Sequence, residues 1–196
     1  MSAHRGEWCG ERLRDHGYRV AARLLAVALL PLAFVLAPRR ARHVACQWAL
    51  AARFPAENLA GLTLATRRAF TAARTQAFWH DGTLIGLTSG YRNPAEQRCL
   101  YAEELRRIEL ATTDARPRVL PAEESRHVVG TALDVRPAEG ARWLERHGAA
   151  YDLYRVYDNE WWHFEHRPDG PPVRLRYPGA SLGKTAVLPR PALDSA

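Results

Sequence analysis

Residues 125–134 read Ser125-Arg126-His127-Val128-Val129-Gly130-Thr131-Ala132-Leu133-Asp134, and the way this stretch has to bend decides the fold around it. Thr131 to Val135 carries the residue types of a short strand. His127 and Asp134 stand seven positions apart, so in a regular strand their side chains would face opposite ways. They meet at one point only if the chain bends between them, and Gly130 is the residue that permits the bend. The pattern Ser-x-His-x-x-Gly-x-Ala-x-Asp is filled at all five fixed positions. Chance would give that on the order of once in 10,000 chains of this length.

Three further pieces carry chemistry. Glu160-Trp161-Trp162-His163 follows, with His163 29 residues beyond Asp134. Ser89-Gly90-Tyr91-Arg92 closes a short apolar run, and Gln97 lies five residues beyond Arg92 on the first turn of the next helix. His127, Asp134 and His163 together supply two imidazoles and a carboxylate. Catalytic zinc sites use three such ligands and leave a fourth position to water, whose pKa the ion lowers to about 7. Glu160, three residues before His163, is placed to be the general base. The pair needs an irregular backbone between them, or a strand that starts late, and Asp158-Asn159 just upstream supports a late start. Arg92 supplies a cation suited to a substrate carboxylate or a developing oxyanion. Taken singly, His127 reads as a structural histidine and Arg92 as a solvated charge; the combination changes that reading. His80, His147 and His166 have no motif context and read as structural.

Working outward, Asn58 is placed to cap a helix near Leu59 that runs to Trp79 with apolar residues at three- and four-residue steps. Asp81-Gly82 marks a turn, and Thr83 to Thr88 a buried strand. Pro94 opens a helix over Ala95 to Glu109. Residues 111–124 read as a loop. Ala138 to His147 is a short helix stopped by Gly148. Leu153 to Tyr157 and Trp161 to Glu165 are two further strands joined at Asp158-Asn159. Helices come first and strands sit close together, which predicts an α+β fold, a small central antiparallel sheet flanked by helices.

The chain has 196 residues, 47% hydrophobic and 25% charged, which suits one folded domain with tails and excludes collagen-like, disulfide-dense and wholly disordered chains. The formal net charge is +7, and 27 of the 28 basic residues are arginine. The charge divides unevenly: residues 1–53 carry +6, residues 54–166 carry −2 and residues 167–196 carry +3. A slightly acidic body argues against a nucleic-acid partner. Residues 1–53 form a basic and apolar leader or anchor segment, in which Leu24 to Ala37 runs fourteen residues without a charge, with Pro31 inside it. That length fits an export signal or membrane anchoring, and the alternative is a helix packed on the domain. Residues 54–166 are the expected catalytic domain. Residues 167–196 hold six of the thirteen prolines and read as an extended, partly disordered tail. Cys9, Cys46 and Cys99 are isolated, odd in number and read as small buried apolar residues.

Over roughly Phe54 to His166 the motifs resemble those of the VanY-type zinc D-alanyl-D-alanine carboxypeptidases, whose relatives include VanX-type D,D-dipeptidases and L-alanyl-D-glutamate endopeptidases. The resemblance implies an α+β fold similar to the Hedgehog signalling domain and D,D-peptidases. It implies one zinc ion on His127, Asp134 and His163, with Glu160 as the catalytic glutamate. It places Arg92 at the substrate and Ser125 in substrate binding, where Tyr91 and Gln97 are also expected. The implied substrate is the peptidoglycan stem peptide, met outside the cytoplasm by an exported, envelope-associated monomer. Trp161 is similar to the dipeptidase branch, whereas Ser-Gly-Tyr-Arg points to the carboxypeptidase and endopeptidase branches. A non-catalytic cell-wall-binding module is the rival of a different class.

Overall fold

Four short antiparallel strands carry the centre of the protein: β1 (Gly86–Ser89), β2 (Ala132–Arg136), β3 (Leu153–Arg155) and β4 (His163–His166), in the spatial order β1-β2-β4-β3. The structure is a computed structural model that describes residues 3–110 and 117–180, with side chains described from residue 16. Side chains alternate across a strand, and here the alternation separates two environments. Leu133, Val135 and Phe164 enter a core with Phe70, Ala73, Trp143 and Leu144. Asp134, His163 and Glu165 face a cleft instead. The core partners come from α3 (Leu64–Gln76) and α5 (Ala138–His147). This is the α+β arrangement read from the sequence.

Several boundaries differ from those expected. The helix α3 begins at Leu64, not Leu59. Thr63 caps it, its Oγ1 accepting from the Thr66 N–H at 3.1 Å, while Asn58 Oδ1 accepts from the Ala60 N–H at 2.8 Å in a local turn. The preceding residues are committed elsewhere: the Thr63 N–H donates to the Gly130 carbonyl at 3.0 Å. Beyond Gln76 the chain makes a π turn over Ala77–Asp81, ended by Gly82 at φ +63°. In α4 (Pro94–Glu109), Asn93 caps the first turn by accepting from the Glu96 N–H at 2.9 Å. The helix α5 stops at Gly148, and a 3-10 turn over Gly148–Tyr151 follows it. The strand β1 is shorter than Thr83–Thr88, and β3 ends before Tyr157, which makes a parallel bridge with Leu175. Residues 167–180 thus run against the end of β3; residues 111–116 of the expected loop and 181–196 of the tail lie outside the described residues.

The N-terminal segment forms a helical hairpin. The helix α1 (Ala3–Leu36) passes through Pro31, a 3-10 turn over Pro38–Arg40 reverses the chain, and α2 (Ala41–Arg53) returns along it. Ala22 and Ala26 of α1 join Cys46, Ala49 and Leu50 of α2 in a core with Phe54, Phe78 and Leu84. Cys46 is buried as expected, whereas Cys99 is exposed on the outer side of α4; the Cys9 side chain lies outside the described residues.

Glu57 ties this hairpin to the sheet. Its Oε2 accepts from Arg74 Nη1 at 2.6 Å and its Oε1 from the Leu87 N–H at 2.6 Å, while Arg74 Nε donates to Gln47 Oε1 on α2 at 2.7 Å. The ion pair is almost wholly buried, at 3% and 5% exposure. Removing one partner strands a buried charge. Glu57→Ala is therefore expected to lower stability by about 3–5 kcal/mol, read from urea unfolding midpoints, and a loss under about 1 kcal/mol would contradict this account.

Candidate metal centre

The register of β2 on β4 sets Asp134 directly opposite His163. His127 reaches them because the chain turns at Gly130, which sits at φ +70° where a Cβ would come within 2.3 Å of the Gly61 carbonyl oxygen. Only glycine satisfies both demands. The strand β4 begins at His163, after a turn at Trp161-Trp162, so Glu160 and His163 share the cleft despite their odd spacing. Both bends are those the sequence spacing required.

His127, Asp134 and His163 are buried, and one potential ligand atom from each lies within 4.8 Å of the others. The far side of each imidazole is held. His127 Nδ1 lies 2.6 Å from the Gly90 carbonyl, which can only accept, so Nδ1 carries a hydrogen and Nε2 faces Asp134 Oδ2 at 3.4 Å. His163 Nε2 lies 3.3 Å from Glu165 Oε1, and its Nδ1 faces Asp134 Oδ1 at 3.0 Å. A carbonyl or carboxylate on the outer nitrogen is how proteins orient zinc-ligating histidines. The donor set, two nitrogens and one carboxylate on the wall of an open cleft, fits a zinc ion.

The electrostatics separate three carboxylates. Burial disfavours the charged form of Asp134, but hydrogen bonds from His127 and His163 outweigh it and hold its carboxyl well below the usual range. Burial likewise opposes ionisation of Glu165, and His163 and Arg167 outweigh it, so Glu165 too is lowered. Glu160 goes the other way: burial raises it to about 7, with His163 only partly opposing. Its carboxylate has no hydrogen-bond partner among the described residues. Burial alone would lower His163, yet its bonds to Asp134 and Glu165 raise it to about 9.

The remaining residues singled out from sequence divide. Arg92, Gln97 and Ser125 line the cleft. Arg92 is held by three side chains: Nη2 donates to Asp134 Oδ2 at 2.6 Å, Nε to Ser89 Oγ at 2.8 Å and Nη1 to Gln97 Oε1 at 3.4 Å. Gln97 also donates to the Leu120 carbonyl at 2.7 Å, pinning the opposite wall. Tyr91 is not brought to the cleft; it is 41% exposed and its ring covers Gly61. Glu165, Arg118 and Arg126 line the cleft and were not singled out from sequence. Glu165 had a signal, since a residue two beyond His163 on a strand shares its face. Arg118 had none.

The sequence matches no known family model and no curated protein. Among solved structures it is similar to a point mutant of the vancomycin resistance D,D-pentapeptidase VanY from a VanB-type cassette in complex with Zn(II), at TM-score 0.47 and 21% identity over 54% of this chain and 72% of that one. VanYB in complex with D-alanine-D-alanine gives TM-score 0.47 and 20% identity over 54% and 71%. The L,D-carboxypeptidase DacB from Streptococcus pneumonia gives 0.43 and 22% over 55% and 67%.

Two outcomes follow for metal uptake. Without metal, His163 keeps a proton up to about pH 9, and a metal must displace it. Apparent zinc affinity is therefore expected to rise about tenfold per pH unit between pH 6 and 8 and to level off above about 9; calorimetry in buffers of different ionisation heat would read the released proton. Glu165→Ala is expected to weaken zinc binding by about 10–100-fold. Unchanged affinity at equilibrium would show that Glu165 does not position His163.

Proposed function

We propose that this protein is a zinc metallopeptidase, a D-alanyl-D-alanine carboxypeptidase that removes the terminal D-alanine from peptidoglycan stem peptides. The observation that carries the reading is the meeting of a two-histidine, one-aspartate cluster with a buried, unpartnered glutamate, Glu160, in one cleft. His127, Asp134 and His163 would hold one zinc ion, which supplies Lewis-acid activation of water and of the scissile carbonyl. The chain's own contribution is proton transfer and binding. A carboxylate with a pKa near 7 can take a proton from the attacking water and give it up again to the leaving amine nitrogen of D-alanine. Burial keeps Glu160 poised for both steps, and its lack of a fixed partner leaves its oxygens available to the substrate.

The cleft walls suit an anionic peptide end. Arg92, Arg118 and Arg126 all line it, and guanidinium groups bind carboxylates in a fork. Because Arg92 is already engaged by Asp134, Ser89 and Gln97, the substrate carboxylate is read as falling to Arg118 or Arg126, with Arg92 fixing the metal-side carboxylate. Ser125 is buried in the cleft floor and offers a hydroxyl to the peptide backbone. The enzyme is read as acting as a monomer. A peptidoglycan substrate places the enzyme outside the cytoplasm, at the cell envelope, with residues 1–53 as its leader or anchor and residues 54–166 as its catalytic domain.

The alternative L-alanyl-D-glutamate endopeptidase uses the same chemistry on another bond. A non-catalytic wall-binding module would have no use for an unpartnered buried glutamate. Incubation of the zinc-loaded protein with defined stem peptides, read by mass, tests all three. Loss of one alanine supports the carboxypeptidase, a cut beside glutamate the endopeptidase, and no product the binding module. Glu160→Gln is expected to retain stoichiometric zinc while hydrolysis falls by about 10²–10⁴-fold. Hydrolysis near the unsubstituted level would remove Glu160 from the mechanism.

A further inference from the structure

Nine of the sixteen large apolar side chains exposed among the described residues lie on α1, between Tyr18 and Leu36. They are not scattered. Val20, Val27 and Phe34, spaced by seven, form a stripe that is 44%, 53% and 62% exposed. The opposite stripe, Ala22, Ala26 and Ala33, is buried against α2 and the domain. These alanines let α1 lie close on α2 and leave the larger residues outside. The charge is equally one-sided: residues 16–56 contain six arginines and no acidic residue. Arg39 and Arg40 are exposed in the turn after α1. Arg23 donates to the Trp79 carbonyl at 3.1 Å, and Arg42 stacks over the Trp79 ring at 5.1 Å, so both flank α1 on its domain side.

The stretch His16–Leu36 is long and apolar enough to cross a bilayer. Its packing argues against crossing. The helix α2 is fixed to the domain, with Gln47 donating to Thr75 Oγ1 at 3.0 Å and accepting from Arg74 Nε at 2.7 Å. Carrying α1 across some 30 Å of hydrocarbon would pull α2 and these polar groups in with it, or strip the alanine stripe off α2. Lying flat avoids both. A helix with an apolar outer face and basic flanks sits at the boundary of headgroups and acyl chains, and cations there favour anionic lipid.

We propose that α1 is an in-plane membrane anchor whose outer face lies in the interface of a bilayer containing anionic phospholipid, with the domain seated on its inner face. No residue of α1 or α2 lines the metal cleft, so the cleft stays open to substrate in this seating. The inference deepens the envelope placement proposed above and does not depend on which bond the cleft attacks.

The test uses the full chain with Cys9→Ser and Cys99→Ser, leaving the buried Cys46 in place, and sealed vesicles of phosphatidylcholine alone or with 30% phosphatidylglycerol by mole. Flotation with the phosphatidylglycerol vesicles, weakened by added salt, is expected. A fluorophore on Val20→Cys, Val27→Cys or Phe34→Cys, quenched by shallow and deep nitroxide lipids, should report the same depth at all three sites, about 5–10 Å below the headgroups. A spanning helix would place these sites at depths differing by up to about 21 Å from first to last, and that result overturns the proposal. So does failure to float, including the case in which the chain dimerises through the same face without lipid. Leu32→Glu with Phe34→Glu should reduce flotation at least tenfold while zinc uptake, which reports the folded cleft, stays unchanged. Arg39→Glu with Arg40→Glu should remove the preference for phosphatidylglycerol.

Discussion

Asp134 and His163 face each other across β2 and β4, and the rest of the structure depends on that register. The same pairing sends Leu133, Val135 and Phe164 into the core and Asp134, His163 and Glu165 into the cleft. A slip of one residue would exchange the two sets. Burying a side chain such as Leu or Phe favours the native register by about 1.5–3 kcal/mol each, so hydrophobic burial by itself brings Asp134 and His163 together. Core and site are two faces of one constraint.

That constraint also explains why three carboxylates within one cleft behave differently. Asp134 and Glu165 lie on the strands and are held by imidazoles and guanidinium groups that keep them ionised. Glu160 lies just before β4, where the backbone is irregular and no partner among the described residues reaches its oxygens, so burial dominates and raises it to about 7. The contrast comes from backbone position. A strand residue is presented to whatever stands opposite it; a residue in the turn before the strand is presented to the cleft. Under the proposed function, carboxylates pushed apart in this way divide into ligand and base.

The sequence showed the bends but not the braces. The odd spacings from His127 to Asp134 and from Glu160 to His163 called for irregular backbone, and the structure has it at Gly130 and at Trp161-Trp162. Such signals are local, since side-chain direction follows from parity. Thr63 as the cap of α3 was hidden because the choice depends on a hydrogen bond to Gly130, 67 residues away. The Glu57–Arg74–Gln47 network was hidden for the same reason, each partner looking like an ordinary surface residue until three elements come together. Tyr91 sits inside the Ser-Gly-Tyr-Arg motif, yet it turns away from the cleft to cover Gly61, so membership of a motif did not imply a place in the site.

Arginine dominates the basic residues, and the fold sorts it into two populations. In the cleft, Arg92 and Arg126 stand near carboxylates of the metal centre, at 2.6 Å from Asp134 and 3.9 Å from Glu165 respectively. There the guanidinium fork is worth its planar geometry, because Arg92 fixes an oxygen of Asp134 while holding Ser89 and Gln97 at the same time. Along α1 and α2 the arginines have no acidic neighbour in the sequence between residues 16 and 56. A surface that is basic at its flanks and apolar along one helix face is the one the in-plane anchor proposed above would set against an anionic, partly apolar boundary. The net +7 is therefore not one basic surface: residues 1–53 carry +6 and residues 167–196 carry +3, whereas the arginines that line the cleft belong to a body of net −2.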